Sequence, residues 1–163
     1  MSKNYSEDIS LFICCILKRL DAFKFDNFEE RMKNQKYYYL AQIFQVAPKF
    51  NYNLYIKGPY SSDLSDTIFE FYRKEEKIPT DAFVIDDLEF NFKLLKLYIK
   101  EKSVRDLELV TTLYWLIKDA KMNYTDALSE LKRVKVPSEL ELGRAELLLG
   151  ELKNELKKIK EIK

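Results

Sequence analysis

The chain has 163 residues, 47% of them hydrophobic and 34% charged, with a net charge of +1. That suits one domain with a real core, and it is too apolar and too balanced in charge for a disordered chain. With no histidine and only two cysteines, the adjacent Cys14 and Cys15, Cys/His zinc sites and a disulfide framework are excluded, and the commonest general base is missing.

No apolar run reaches the ~20 residues that span a bilayer. The opening "MSKNYSEDIS" lacks the features of a signal peptide, so a cytoplasmic protein is expected. Ile9, Phe12, Ile13, Ile16, Leu17 and Leu20 recur at helical spacing. Cys14 and Cys15 lie inside that run, where a free cysteine behaves as a small hydrophobe. A second helix follows "FKFDN", capped by Asp26 or Asn27 and ended by Pro48.

Tyr52, Leu54 and Ile56 then alternate with polar or exposed-type positions, the period of a strand. Gly58-Pro59 is expected to stop that strand, because proline cannot donate to a ladder. Ser61, Ser62 and Asp63 can cap the next helix, which carries Leu64, Ile68, Phe71 and Tyr72. Gly58-Pro59 therefore reads as a strand-to-helix junction. "AFVIDDLEFNF" allows a hairpin about Asp86-Asp87, although Asp87 can equally cap a helix. "FKLLKLYIKE" reads as helix. Ser103 with Asp106 is close to a capping box and starts a strong helix to about Lys121. Thr125 opens another helix, Pro137 closes it, and the last runs from Ser138.

The order of elements predicts a mainly α protein with a small β element. A winged-helix-like region over 1–90 is followed by a helical region over 91–163, the two packed as one unit. "RMKNQKYYYLAQIF", "YNLYIKGPYSSDLSDTIFEF" and "LELVTTLYWL" together resemble the YwgA-like group of prokaryotic winged-helix-type proteins. The matching positions are Arg31, Gln35, Lys36, Tyr39, Leu40, Tyr55, Gly58, Pro59, Tyr60, Ser61 and Leu64, then Leu107, Glu108, Leu109 and Thr112. The junction is also similar to one in Panacea-like antitoxins. "EEKIPTD" departs from the turn that closes many winged helices before the wing. The resemblance implies a winged-helix fold more firmly than an activity.

Charge qualifies the DNA-binding expectation. Residues 1–60 carry a net +3, residues 61–90 a net −6 and residues 91–163 a net +4. The helix expected to enter a groove thus bears Asp63, Asp66 and Glu70, which phosphates repel. Lys33, Lys36, Lys49 and Lys57 are the remaining candidates for phosphate contact. Tyr37, Tyr38 and Tyr39 point ~100° apart on a helix and cannot form one stacking platform. No catalytic motif is visible, so the expectation is a non-enzymatic binding protein without cofactor or metal. It is either a DNA-associated regulator or a protein-interaction module of accessory or antitoxin type. Arg31, Gln35, Lys36, Tyr55, Lys57, Gly58, Tyr60 and Ser61 are the candidate binding or junction residues. Leu149, Leu152, Leu156 and Ile159 form a narrow heptad-like stripe, the candidate seam of a homodimer. The basic end "KNELKKIKEIK" reads as a solvated helix end.

Overall fold

The computed structural model describes residues 7–22, 24–73 and 86–159. Within them lie seven helices and one small antiparallel sheet: α1 (Glu7–Arg19), α2 (Phe28–Ile43), β1 (Asn53–Tyr55), β2 (Gly58–Tyr60), α3 (Ser62–Arg73), α4 (Asp86–Ile99), α5 (Val104–Lys118), α6 (Tyr124–Lys135) and α7 (Glu139–Lys157). No helix among the described residues is long and apolar enough to cross a membrane.

Local chemistry sets the helix boundaries. Asn27 caps α2 by accepting from the Glu30 N–H at 2.8 Å, and the Glu30 carboxylate accepts from the Asp26 N–H in return. Ser103 with Asp106 and Ser138 with Glu141 form complete capping boxes at α5 and α7. Asn123, rather than Thr125, caps α6. The end of α2 differs from expectation. It stops at Ile43, and Gln45 turns the chain with φ 61, so Pro48 lies beyond the break. The Gln42 side chain then brackets Phe50, accepting from its N–H and donating to its carbonyl.

Two helices form the centre. In α2 every residue from Asn34 to Ala41 is buried, and in α5 every residue from Leu107 to Leu113. A helix buried on all sides is a core element rather than an amphipathic cover. α5 packs against α2, β2, α6 and α7, so the boundary expected near residue 90 falls within one continuous core. Cys14 and Cys15 are buried and form no disulfide, and burial pushes the Cys14 thiol up to about 12, with Cys15 adding to it.

The Gly-Pro step corrects the expectation. Gly58 and Pro59 do not end a strand that leads straight into a helix. They form β2, which pairs back onto β1 with Asn53 opposite Tyr60, Leu54 opposite Pro59 and Tyr55 opposite Gly58. Ile56 and Lys57 make the turn, and Gly58 follows with φ 103, as glycine does in a bulge closing a type I hairpin turn. Ser61 then caps α3, its hydroxyl accepting from the Leu64 N–H at 3.3 Å. The second expected hairpin is also corrected over its described part: residues 86–92 belong to α4, and 82–85 lie outside the described residues.

The residues of the expected dimer seam pack largely within the chain itself. Leu149 and Leu152 are buried in the chain's own core, with Ala145 and Leu148 beside them, and Leu156 and Ile159 pack partly buried against it. α7 lies on α5 and α4. The Tyr98 hydroxyl donates to the Leu148 carbonyl at 2.9 Å, and ion pairs Arg105–Glu141 and Arg144–Asp106 fasten its first half to α5. The stripe is narrow because α7 covers the core from outside, with Leu140 and Leu147 exposed on its other side.

Candidate functional site

Of the residues singled out in the sequence, Gln35, Lys36, Gly58 and Ser61 come together, and all four are buried. β2 reaches between α2 and α5, and the backbone beyond it needs partners inside the protein. Gln35 supplies them for Ser61: its amide oxygen accepts from the Ser61 N–H at 2.9 Å and its NH₂ donates to the Ser61 carbonyl at 3.0 Å. Gly58 sits so close to α5 that a Cβ there would lie 3.0 Å from Thr112 Oγ1 and 3.4 Å from Lys36 Nζ.

Charges complete this cluster. Lys135 Nζ lies 3.0 Å from Glu108 Oε1 and also donates to the Ile56 carbonyl, pinning the hairpin turn to the end of α6. Arg105 bridges Glu108 at 3.4 Å, Glu141 at 2.6 Å and the Lys135 carbonyl at 3.0 Å. Burial pulls the Lys36 ammonium down to about 8, against the opposing attraction of Glu108. Burial likewise lowers Lys135, and its bond to Glu108 opposes the shift. The hydrogen bond from Arg105 lowers the Glu141 carboxyl. The cluster is thus a sealed polar joint between hairpin, α2, α5 and α6.

The other candidates lie outside it. Arg31 is exposed and donates to the Phe25 carbonyl at 3.1 Å, fastening the loop before its own helix. Tyr55 and Lys57 are exposed on the hairpin, and the Tyr55 ring meets Tyr60 edge-on at 5.1 Å. Ile56 at the tip is 88% exposed, as are Val136 (79%) and Leu140 (84%) near the start of α7.

A second feature was not read from the sequence. A cleft of about 780 Å³ opens between the end of α2, residues 49–53 and the end of α5, with Lys49, Lys118, Asn51 and Tyr114 in its walls. It shares Ile43, Gln45, Tyr114 and Lys118 with an adjoining hollow of about 590 Å³ that runs to Lys153 and Lys157 on α7. The two adjoin along those four residues and together are lined by four lysines and a single carboxylate, Asp119. The Tyr39 hydroxyl donates to Asp119 Oδ2 at 2.7 Å. Burial, reinforced by Asp119, holds the Tyr39 and Tyr114 hydroxyls protonated far above the usual phenol range and above it, respectively. Only Lys49 of these lysines stood out in the sequence. Lys153 and Lys157, four apart on α7, were the remaining signal, hidden in what read as a solvated helix end.

Among the described residues, no group of three His, Cys, Asp or Glu is placed to hold a metal ion. No family model, curated protein or solved structure matches this chain.

Proposed function

We propose that this protein is a non-enzymatic, DNA-associated binding module of regulatory type that engages nucleic acid through the lysine-lined cleft. One observation carries the reading: Lys49, Lys118, Lys153 and Lys157 line two adjoining hollows against one carboxylate that is already hydrogen-bonded by Tyr39. Phosphate neutralisation supplies most of the affinity in such complexes, and converging lysines supply it here. The order helix, helix, hairpin, helix and the resemblance to YwgA-like proteins support a winged-helix-like reading of residues 1–90. Docking does not use α3, whose Asp63, Asp66 and Glu70 would face phosphates. Nor does it use Lys36, which is buried.

The test is a titration of labelled nucleic acid, single-stranded and duplex, at several salt concentrations. Four lysines predict that log affinity falls against log salt with a slope of about −3. Lys118→Glu is expected to abolish most binding while melting with the wild-type protein. No binding to either form at low salt would remove the reading.

A second reading, a protein-interaction module of accessory or antitoxin type, is favoured by the exposed apolar side chains Ile56, Val136 and Leu140. A partner captured by the wild type and lost on Ile56→Asp would favour it.

A further inference from the structure

We infer that the cleft is shaped for an unpaired strand, DNA or RNA, rather than for a duplex; the inference rests on the nucleic-acid reading above. A duplex presents grooves and is read by protruding elements such as a helix or a β-ribbon. Here the basic feature is concave. Its two chambers, about 780 and 590 Å³, are each the size of a small-ligand pocket. They admit bases and phosphates one after another but not a paired helix.

The order of side chains fits a strand. Lys49 lies in one chamber, Lys153 and Lys157 in the other, and Lys118 and Tyr114 in both. Cations spaced along a channel with an aromatic ring at the middle are what single-strand grooves use: lysines track the backbone, and a ring face stacks a base. Tyr114 is half-buried and braced edge-on by Tyr39 at 6.4 Å, so its orientation is fixed before a base arrives. Of the tyrosine triplet on α2, Tyr39 lines the same cleft but is buried, whereas Tyr114 is partly open to it.

The remaining wall groups favour bases over an acidic peptide. Asp119 repels carboxylates and phosphates alike, so what lies against it must be a donor, which an acidic peptide side chain lacks. Bases offer amino groups as well as ring acceptors, and carboxylates accept from such amino groups in base recognition. Asp119 and the exposed amides of Gln45 and Asn51 supply both kinds of partner.

Fluorescence anisotropy with a labelled, mixed-sequence DNA strand of about 15 nucleotides without self-complementarity, an RNA strand of the same sequence and the DNA strand annealed to its complement tests this on the protein. One or both single strands are expected to bind at least tenfold tighter than the duplex. Lys118→Glu combined with Lys157→Glu should lose more than tenfold. Tyr114→Leu should weaken binding severalfold and Tyr114→Phe should restore it, with thermal melting reported for every variant. A Tyr114→Leu variant that is folded and binds as the wild type overturns the stacking role. Duplex binding equal to or tighter than single strand, and still sensitive to the cleft lysines, overturns the strand inference and leaves the nucleic-acid reading standing. Displacement of the strand by polyglutamate at matched charge assigns the cleft to an acidic protein instead. Absence of any nucleic-acid binding at low salt overturns both.

Discussion

Lys36 and Lys118 stand on the two central helices, α2 and α5, and they are put to opposite uses. Lys36 is buried against Gly58 beside Glu108, with its ammonium pulled down by desolvation. Lys118 is exposed in the cleft wall, where its charge is available to a ligand. The sequence gives both the same charge, and packing decides which one a phosphate can reach. Buried charge is a structural cost that pairing offsets; exposed charge costs almost nothing to keep and is free to act.

Three substitutions probe the buried side of that contrast. Glu108→Ala should have the largest effect, because it leaves Lys135 and Arg105 without their shared carboxylate. Breaking a buried ion pair from one side costs about 3–5 kcal/mol. Urea denaturation measures it, and a loss below about 1 kcal/mol would show that the cluster behaves like a surface ion pair.

Gly58→Val should come next, at about 2–4 kcal/mol, since it combines an unfavourable φ of 103 with a Cβ 3.0 Å from Thr112 Oγ1. A melting temperature equal to that of the wild type would mean that the hairpin can move off α5 without penalty.

Lys36→Met should have the smallest effect and the opposite sign. Glu108 keeps Lys135 and Arg105, so removing a poorly solvated ammonium stabilises the fold at neutral pH, by about 1 kcal/mol. The pH dependence fixes the mechanism. The folded ammonium titrates near 8 and the unfolded one near 10.5. Below 8 both states hold the proton and the burial penalty is complete. Between 8 and 10.5 the native state releases it first, so this group makes stability rise with pH. The wild type should therefore gain on the variant across that window; parallel stability curves would show that Lys36 is not desolvated.

Much of the helical framework was legible because helix signals are local. Asn27, Ser103 and Ser138 start helices where their caps were expected, and the apolar spacing of α1 and α5 reports their core faces. The hairpin was half legible. β1 and β2 have three residues each, too few for alternation to outweigh the reading of Gly-Pro as a stop. A proline is tolerated there because the sheet has two strands among the described residues, and both are edges. The stripe on α7 is ambiguous for a different reason: heptad-like spacing tells that one side is covered, not whether the cover belongs to the same chain. Of the eight candidate binding or junction residues, Gln35, Lys36, Gly58 and Ser61 come together, but their burial depends on α5, which lies far along the sequence. The cleft escaped for the same reason. Lys49, Lys118 and Lys157 come from three separate stretches, and no local pattern joins them.

The bonds that close the molecule also set when it can be finished during synthesis. Lys135 reaches the Ile56 carbonyl across 79 residues, and Tyr39 reaches Asp119 across 80. A nascent chain makes its early helices well before those partners leave the ribosome. Until then the inner face of β2, with Gly58 and Pro59, lacks the surface of α5 that buries it. Contacts so distant in sequence carry a large loop-closure cost before they return any stability. The hairpin is thus encoded early and locked late: β2 stays uncovered until α5 is made, about fifty codons on, and its turn stays unpinned for about eighty.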